Sequence, residues 1–168
     1  MKGSAGVGIY GGRIRPGKAM NILDESRAIA SELGIEILLM DADLVFGRIH
    51  IESAVEHAFR AFERGTEVAE TKMLEVMLYS SGERQLSSAI EKMGLKSITR
   101  SVAVIVSDPS KMSNVLSTLD IKRDDSVLDG DVSKLRAFGI SKKAVDSVGD
   151  NKVQELVLER VARVDLTK

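Results

Sequence analysis

Ser101-Val102-Ala103-Val104-Ile105-Val106-Ser107 is a short apolar, β-branched run bounded by serines. Such a run is the signature of a central strand buried on both faces. Working outward from it, Ile35 to Met40 has the same character and reads as a second interior strand. Near the N-terminus, Val7, Ile9 and Ile14 are interrupted by glycines and read as an edge strand. At the other end, Ala162, Val164 and Leu166 alternate with Arg163, Asp165 and Thr167, a period of two that predicts a last strand returning to the sheet.

Helices fill the spaces between. Asn21 to Leu33 is predicted helical, with Leu23, Ile29, Ala30 and Leu33 inward and Gly34 as the stop. Ile49 to Arg64 carries the cleanest stripe, Ile51, Ala54, Val55, Ala58, Phe59 and Phe62, and leaves at Gly65. Glu70 to Tyr79 follows, with Leu74, Val76, Met77 and Leu78 apolar, and Met73, Met77 and Met93 gathered near its end. Asp108-Pro109 opens a helix as cap and first residue, with Met112, Val115, Leu116 and Leu119 as its core face. Arg123 to Asp131 is an acidic connector without the ligand spacing of a calcium loop. Val132 to Phe138 and Ser141 to Val148 are short helical pieces parted by Gly139, and Asn151 to Arg160 is a further helix with Val153, Leu156, Val157 and Arg160 on one side. The expected fold is α/β (α+β): a single domain over 1–168, with a mixed sheet of about four strands packed with seven or eight helices.

The bulk composition narrows the function. The 168 residues, 43% hydrophobic, suffice for a real core. Cysteine is absent, which excludes disulfides, thiolate zinc sites and cysteine nucleophiles. No apolar run spans a membrane and the first residues lack a signal-peptide core, so a cytoplasmic protein is expected. A net charge of −1 excludes wholesale electrostatic wrapping of nucleic acid, so any such contact must be local. Gly6, Gly8 and Gly11 spell G-x-G-x-x-G, but no strand precedes them as a dinucleotide site requires. His50 and His57 are seven apart, not the i, i+4 spacing of a helical metal pair, and read as boundary residues. Asp41-Ala42-Asp43 reads as a solvated turn. No nucleophile elbow or phosphate-binding P-loop is present, and no cofactor or metal is implied.

The local feature that stands out is Tyr79-Ser80-Ser81-Gly82-Glu83-Arg84-Gln85-Leu86. Ser80 and Glu83 have the spacing of a capping box. Leu86, Ala89, Ile90 and Met93 form a stripe that ends at Gly94. A helix start with spare N–H donors, a glycine and Arg84 and Gln85 in its first turn suits an anion such as a phosphate, and a well-capped surface helix is the plainer reading.

The run from Ala69 to Ile90 resembles the central signature of the KEOPS subunit family that binds the atypical kinase PRPK and its archaeal equivalent. Glu75, Ser81, Gly82, Arg84, Gln85, Leu86, Ala89, Ile90 and Gly94 match that pattern. Val45-Phe46-Gly47 with His50 and Ala54, and Asp124-Asp125-Ser126-Val127-Leu128, resemble the family's flanking segments, so the likeness runs from about residue 35 to 168. Where some relatives carry a basic residue before the turn, this chain has Tyr79, whose ring offers a surface for a base. The resemblance implies a non-catalytic accessory subunit of the complex that makes threonylcarbamoyl-adenosine in tRNA. It would bind the small atypical kinase and recruit tRNA by its 3′ CCA end, with Tyr79, Ser81, Gly82, Arg84 and Gln85 as the RNA-binding residues. The alternative is a small-molecule or nucleotide-binding regulatory protein using the same helix start.

Overall fold

The computed structural model describes residues 6–149 and 152–168. Four strands are present among the described residues: β1 (Gly8–Arg13), β2 (Ile37–Asp41), β3 (Ser101–Val106) and β4 (Lys122–Arg123). Seven α-helices are described: α1 (Ala19–Leu33), α2 (Arg48–Arg64), α3 (Lys72–Ser81), α4 (Leu86–Met93), α5 (Met112–Thr118), α6 (Lys142–Val148) and α7 (Val153–Thr167). Asn151, the expected start of α7, lies outside the described residues. No described helix is long and apolar enough to cross a membrane. The chain divides into two compact units, each assembled from two stretches of sequence: 1–43 with 94–128, and 44–93 with 129–168.

The first unit holds the sheet, in the order β2-β3-β1-β4. As its composition predicts, β3 is interior, and Val102 to Val106 are fully buried. All three pairings are antiparallel, so the sheet is not mixed as expected. β1 and β2 run the same way, joined by α1, but β3 inserts between them and separates what would have been a parallel pair. One face packs Val102, Val104, Val106 and Leu39 against Ile22 and Ile29 of α1 and Met112 and Val115 of α5. Asp108 caps the turn before α5 by accepting from Ser110 N–H, as its Asp-Pro sequence predicts.

β1 is not an edge strand, because the two-residue β4 and the turn after it close over it. Gly11 and Gly12 are explained by that approach. A methyl group on Gly11 would lie 2.8 Å from the Asp124 carbonyl oxygen and 2.7 Å from Val127, and one on Gly12 would lie 2.3 Å from Ile121. The Gly11 N–H also donates to Asp125. At Gly11 and Gly12 the missing side chain therefore serves packing. Gly11→Ala should lower stability by about 1–3 kcal/mol, because a backbone oxygen cannot step aside as a side chain can. An unchanged urea midpoint would contradict this packing.

The second unit is helical. α2 packs on α3, α4 on α3, and α7 on both α2 and α3. Ile51, Ala54, Val55 and Ala58 of α2 are buried as predicted, while Phe59 and Phe62 are only half-buried. A smaller cluster joins Phe46, Leu135, Phe138, Ile140 and Val145 to Val153 and Val157. The strand expected over Ala162 to Thr167 is instead the end of α7. Val153, Val157, Val161 and Val164 are buried and fall at helical spacing, whereas Leu166, on which the alternation relied, is 85% exposed.

Candidate nucleic-acid interface

The turn between α3 and α4 is built from both helix ends. Thr71 caps α3, its side chain accepting from Leu74 N–H. The helix runs on through Ser80 and Ser81 and stops at Gly82, whose φ of 72° is left-handed and favours glycine. The expected capping box does not form, because Ser80 belongs to the preceding helix. Its hydroxyl is buried with no hydrogen-bond partner among the described residues. Ser81 organises the turn instead. Its hydroxyl donates to Leu78 O and accepts from Glu83 N–H, and its carbonyl accepts from the Lys92 ammonium.

This arrangement relocates the free donors. The Gly82 N–H is committed to Tyr79 O and the Glu83 N–H to Ser81. α4 makes its first helical bond from Ala89 N–H to Gln85 O, so the N–H groups of Leu86, Ser87 and Ser88 have no helical acceptor. Arg84 and Gln85 stand exposed immediately before them, and Arg84 has no ion-pair partner among the described residues. Gly82 is half-buried. A Cβ there would lie 3.5 Å from Arg160 Cβ, so the turn rests on α7.

Two of the five expected contact residues lie inside. Ser81 is fully buried and shapes the turn from beneath. Tyr79 is also fully buried. Its ring stacks on His57 with centroids 5.4 Å apart, and the Lys168 ammonium sits 4.6 Å from its centroid. Its hydroxyl donates to Asp165, which also meets His57 Nδ1 at 2.7 Å. Burial, then the Asp165 carboxylate, pushes the Tyr79 phenol above its usual value. Burial alone would raise Asp165, but the bonds from Tyr79 and His57 outweigh it and hold that carboxyl low. With its ring covered, Tyr79 offers no surface for a base in this conformation, contrary to expectation.

Beneath the turn lies a set of polar groups that periodicity does not reveal. His50 is wholly buried, not a boundary residue. Its Nδ1 accepts from Phe46 N–H at 3.0 Å and its Nε2 lies 2.8 Å from Ser80 O, which fixes a neutral ring protonated on Nε2. His57, by contrast, does sit at the boundary. Glu75 is wholly buried and accepts from Val68 and Ala69 N–H at 3.0 and 2.8 Å, and its other oxygen pairs with Lys168 at 2.7 Å. Lys92 lies 3.6 Å from Glu83 and 4.8 Å from the centroid of the Phe138 ring. Burial holds its ammonium below the ordinary value, and the charge of Arg160 acts in the same direction. Arg160, half-buried within an apolar stripe of α7, is the neighbour of the turn most readily missed in sequence. A cation at a core-facing position was the available signal.

A family model described as Kinase binding protein CGI-121 matches residues 20–163. The chain belongs to this family. The match runs from α1 to the last turns of α7, so the α3–α4 turn lies inside it and β1 outside. The chain is also 27% identical over 136 residues to a protein named Regulatory protein Cgi121 from Methanocaldococcus jannaschii, covering 81% of this chain and 88% of that one. The side chains of Arg84 and Gln85 make no hydrogen bond or ion pair among the described residues, while Ser81 of the same motif holds the turn and Glu75 holds the loop at Val68 and Ala69.

Proposed function

We propose that this protein is a non-catalytic accessory subunit of the KEOPS complex, which modifies tRNA with threonylcarbamoyl groups. In this reading it is a cytoplasmic regulatory protein that binds the small atypical kinase of the complex and recruits tRNA through the 3′ CCA end. Family membership supports the kinase partner and the regulatory role, and the ordered motif from Ala69 to Ile90 supports the tRNA role. The observation that carries the RNA site is the turn itself. Arg84 is an exposed cation without an ion-pair partner among the described residues, placed directly before three N–H groups at the start of α4 that have no helical acceptor. Such a site holds one phosphate and a few unpaired bases, which suits a near-neutral protein and a single-stranded end.

The contacts divide by chemistry. Arg84 pairs with a phosphate oxygen, the N–H groups at the start of α4 hold the same group, and Gln85 reaches a base edge or sugar. Gly82 and Ser81 set the backbone path, and Tyr79 anchors α3 from within. Arg84→Glu should weaken tRNA binding about tenfold or more and reduce the salt slope by about one unit. Equal affinities for variant and wild type would remove this site. A pull-down with the intact chain should recover both the small kinase and tRNA. Nucleotide binding without either partner would favour a small-molecule regulator.

A further inference from the structure

The apolar face of α7 stops short of the helix end. Val164 is its last buried residue, and Asp165, Leu166, Thr167 and Lys168 are all exposed as residues. From this exposed stretch one side chain nevertheless turns inward, since that of Lys168 is 6% exposed. Its ammonium meets Glu75 Oε1 at 2.7 Å and sits 4.6 Å from the Tyr79 ring centroid. The place it fills is held by other groups. The second Glu75 oxygen accepts from Val68 and Ala69 N–H, which fixes the carboxylate. The Tyr79 ring stacks on His57, which fixes its plane. Neither restraint involves Lys168. A carboxylate and a ring are the partners an alkylammonium takes, one accepting its N–H and the other attracting its charge.

We propose that Glu75 and Tyr79 form a preformed slot for a lysine ammonium, filled by the chain's own Lys168, and that this makes residues 165–168 a latch. The latch closes on polar contacts: Lys168 in the slot, and Asp165 on the Tyr79 hydroxyl and His57. Its one large apolar side chain, Leu166, is 85% exposed, so withdrawing Lys168 uncovers no core. A segment held this way opens at a lower free energy than global unfolding requires. Opened, it leaves the Glu75 carboxylate and the Tyr79 ring ready for an alkylammonium of the same shape. The matched family segment stops at Arg163, so the latch lies beyond it.

The test removes the occupant and supplies it again. Lys168→Ala should unfold at least about 5 °C below wild type. The probe n-butylammonium, a lysine tip as a free molecule, should restore about half or more of that loss, with saturation. At equal ionic strength sodium and tetramethylammonium should restore little, since neither donates an N–H to Glu75. Wild type, with its slot filled, should not respond, and neither should Lys168→Ala combined with Glu75→Gln. Amide exchange at Leu166 and Thr167 should rise about tenfold in Lys168→Ala and fall back with butylammonium, while the buried turns of α2 and α3 keep their protection. An equal shift in wild type or in the double variant would mark a general salt effect and overturn the slot. Unchanged exchange at Leu166 and Thr167 would overturn the latch. If Lys168→Ala does not fold, acylation of the wild-type lysines decides. Lys168 should react about tenfold more slowly than the exposed Lys142, and Glu75→Gln should bring the two rates together. Equal rates in wild type would overturn the proposal.

Discussion

Glu75→Ala is expected to destabilise the protein by about 3–5 kcal/mol, the usual range for breaking a buried ion pair from one side. The Glu75 side chain has no solvent exposure and that of Lys168 has 6%. Removing the carboxylate takes the ion-pair partner from the Lys168 ammonium beside the Tyr79 ring, with only the Asp165 carboxylate still acting on it, and leaves the N–H groups of Val68 and Ala69 without that acceptor. The Ala69 N–H is then buried without its acceptor and the Lys168 side chain without its ion-pair partner, and unmet groups cost more than met ones contribute. Glu75→Gln retains an acceptor for the loop and should cost less. Pairing Glu75→Gln with Lys168→Met should cost less than the sum of the two single changes, since the double variant leaves no lone charge. Urea denaturation of the four proteins measures this, and simple additivity would show that the pair contributes nothing as a pair.

Acid should weaken the fold through His50, starting well above the carboxylate range. Its burial, helped by the Lys92 and Lys134 charges, lowers the pKa from 6.5 to about 4. Both ring nitrogens are already engaged as one acceptor and one donor, so a second proton has no place without breaking the Phe46 N–H contact. The direction follows from which state takes up the proton. Below pH 6.5 the unfolded chain protonates this histidine while the folded chain does not, so stability falls as pH falls and levels off below about pH 4. The full effect is on the order of 3 kcal/mol. His50→Gln removes the titration and should flatten the stability profile across that window. An equally steep profile in the variant would assign the acid sensitivity to other groups.

The strands and helices most legible in sequence are those whose pattern admits one reading. The apolar run 102–106 has no polar residue to place outward, and the α2 stripe keeps a period of 3.6 through four turns. Legibility failed where two periods share the same residues. Val164 fits both an alternation with Ala162 and a helical stripe with Val157 and Val161, and packing against α2 and α3 selects the helix. β4 has two residues, too few for any period to show, and its pairing with β1 is what turns a predicted edge into an interior strand. At the candidate site, sequence located the turn but not its interior. Ser80 and Glu83 have capping spacing, yet α3 extends to Ser81 and withdraws Ser80 from that role. Tyr79 looked available to a base until α7, distant in sequence, brought Asp165 and Lys168 onto it. Arg84 and Gln85 stayed where spacing put them because their surroundings are local.

The most direct measurement is the affinity of the wild-type protein for one tRNA prepared with and without its CCA end, at a single stated salt concentration. A site that holds an unpaired terminal phosphate and its neighbouring bases predicts tight binding of the intact tRNA and loss of most of that affinity when the end is removed. Equal affinity for the two would contradict recognition of the RNA end at Gly82 to Gln85.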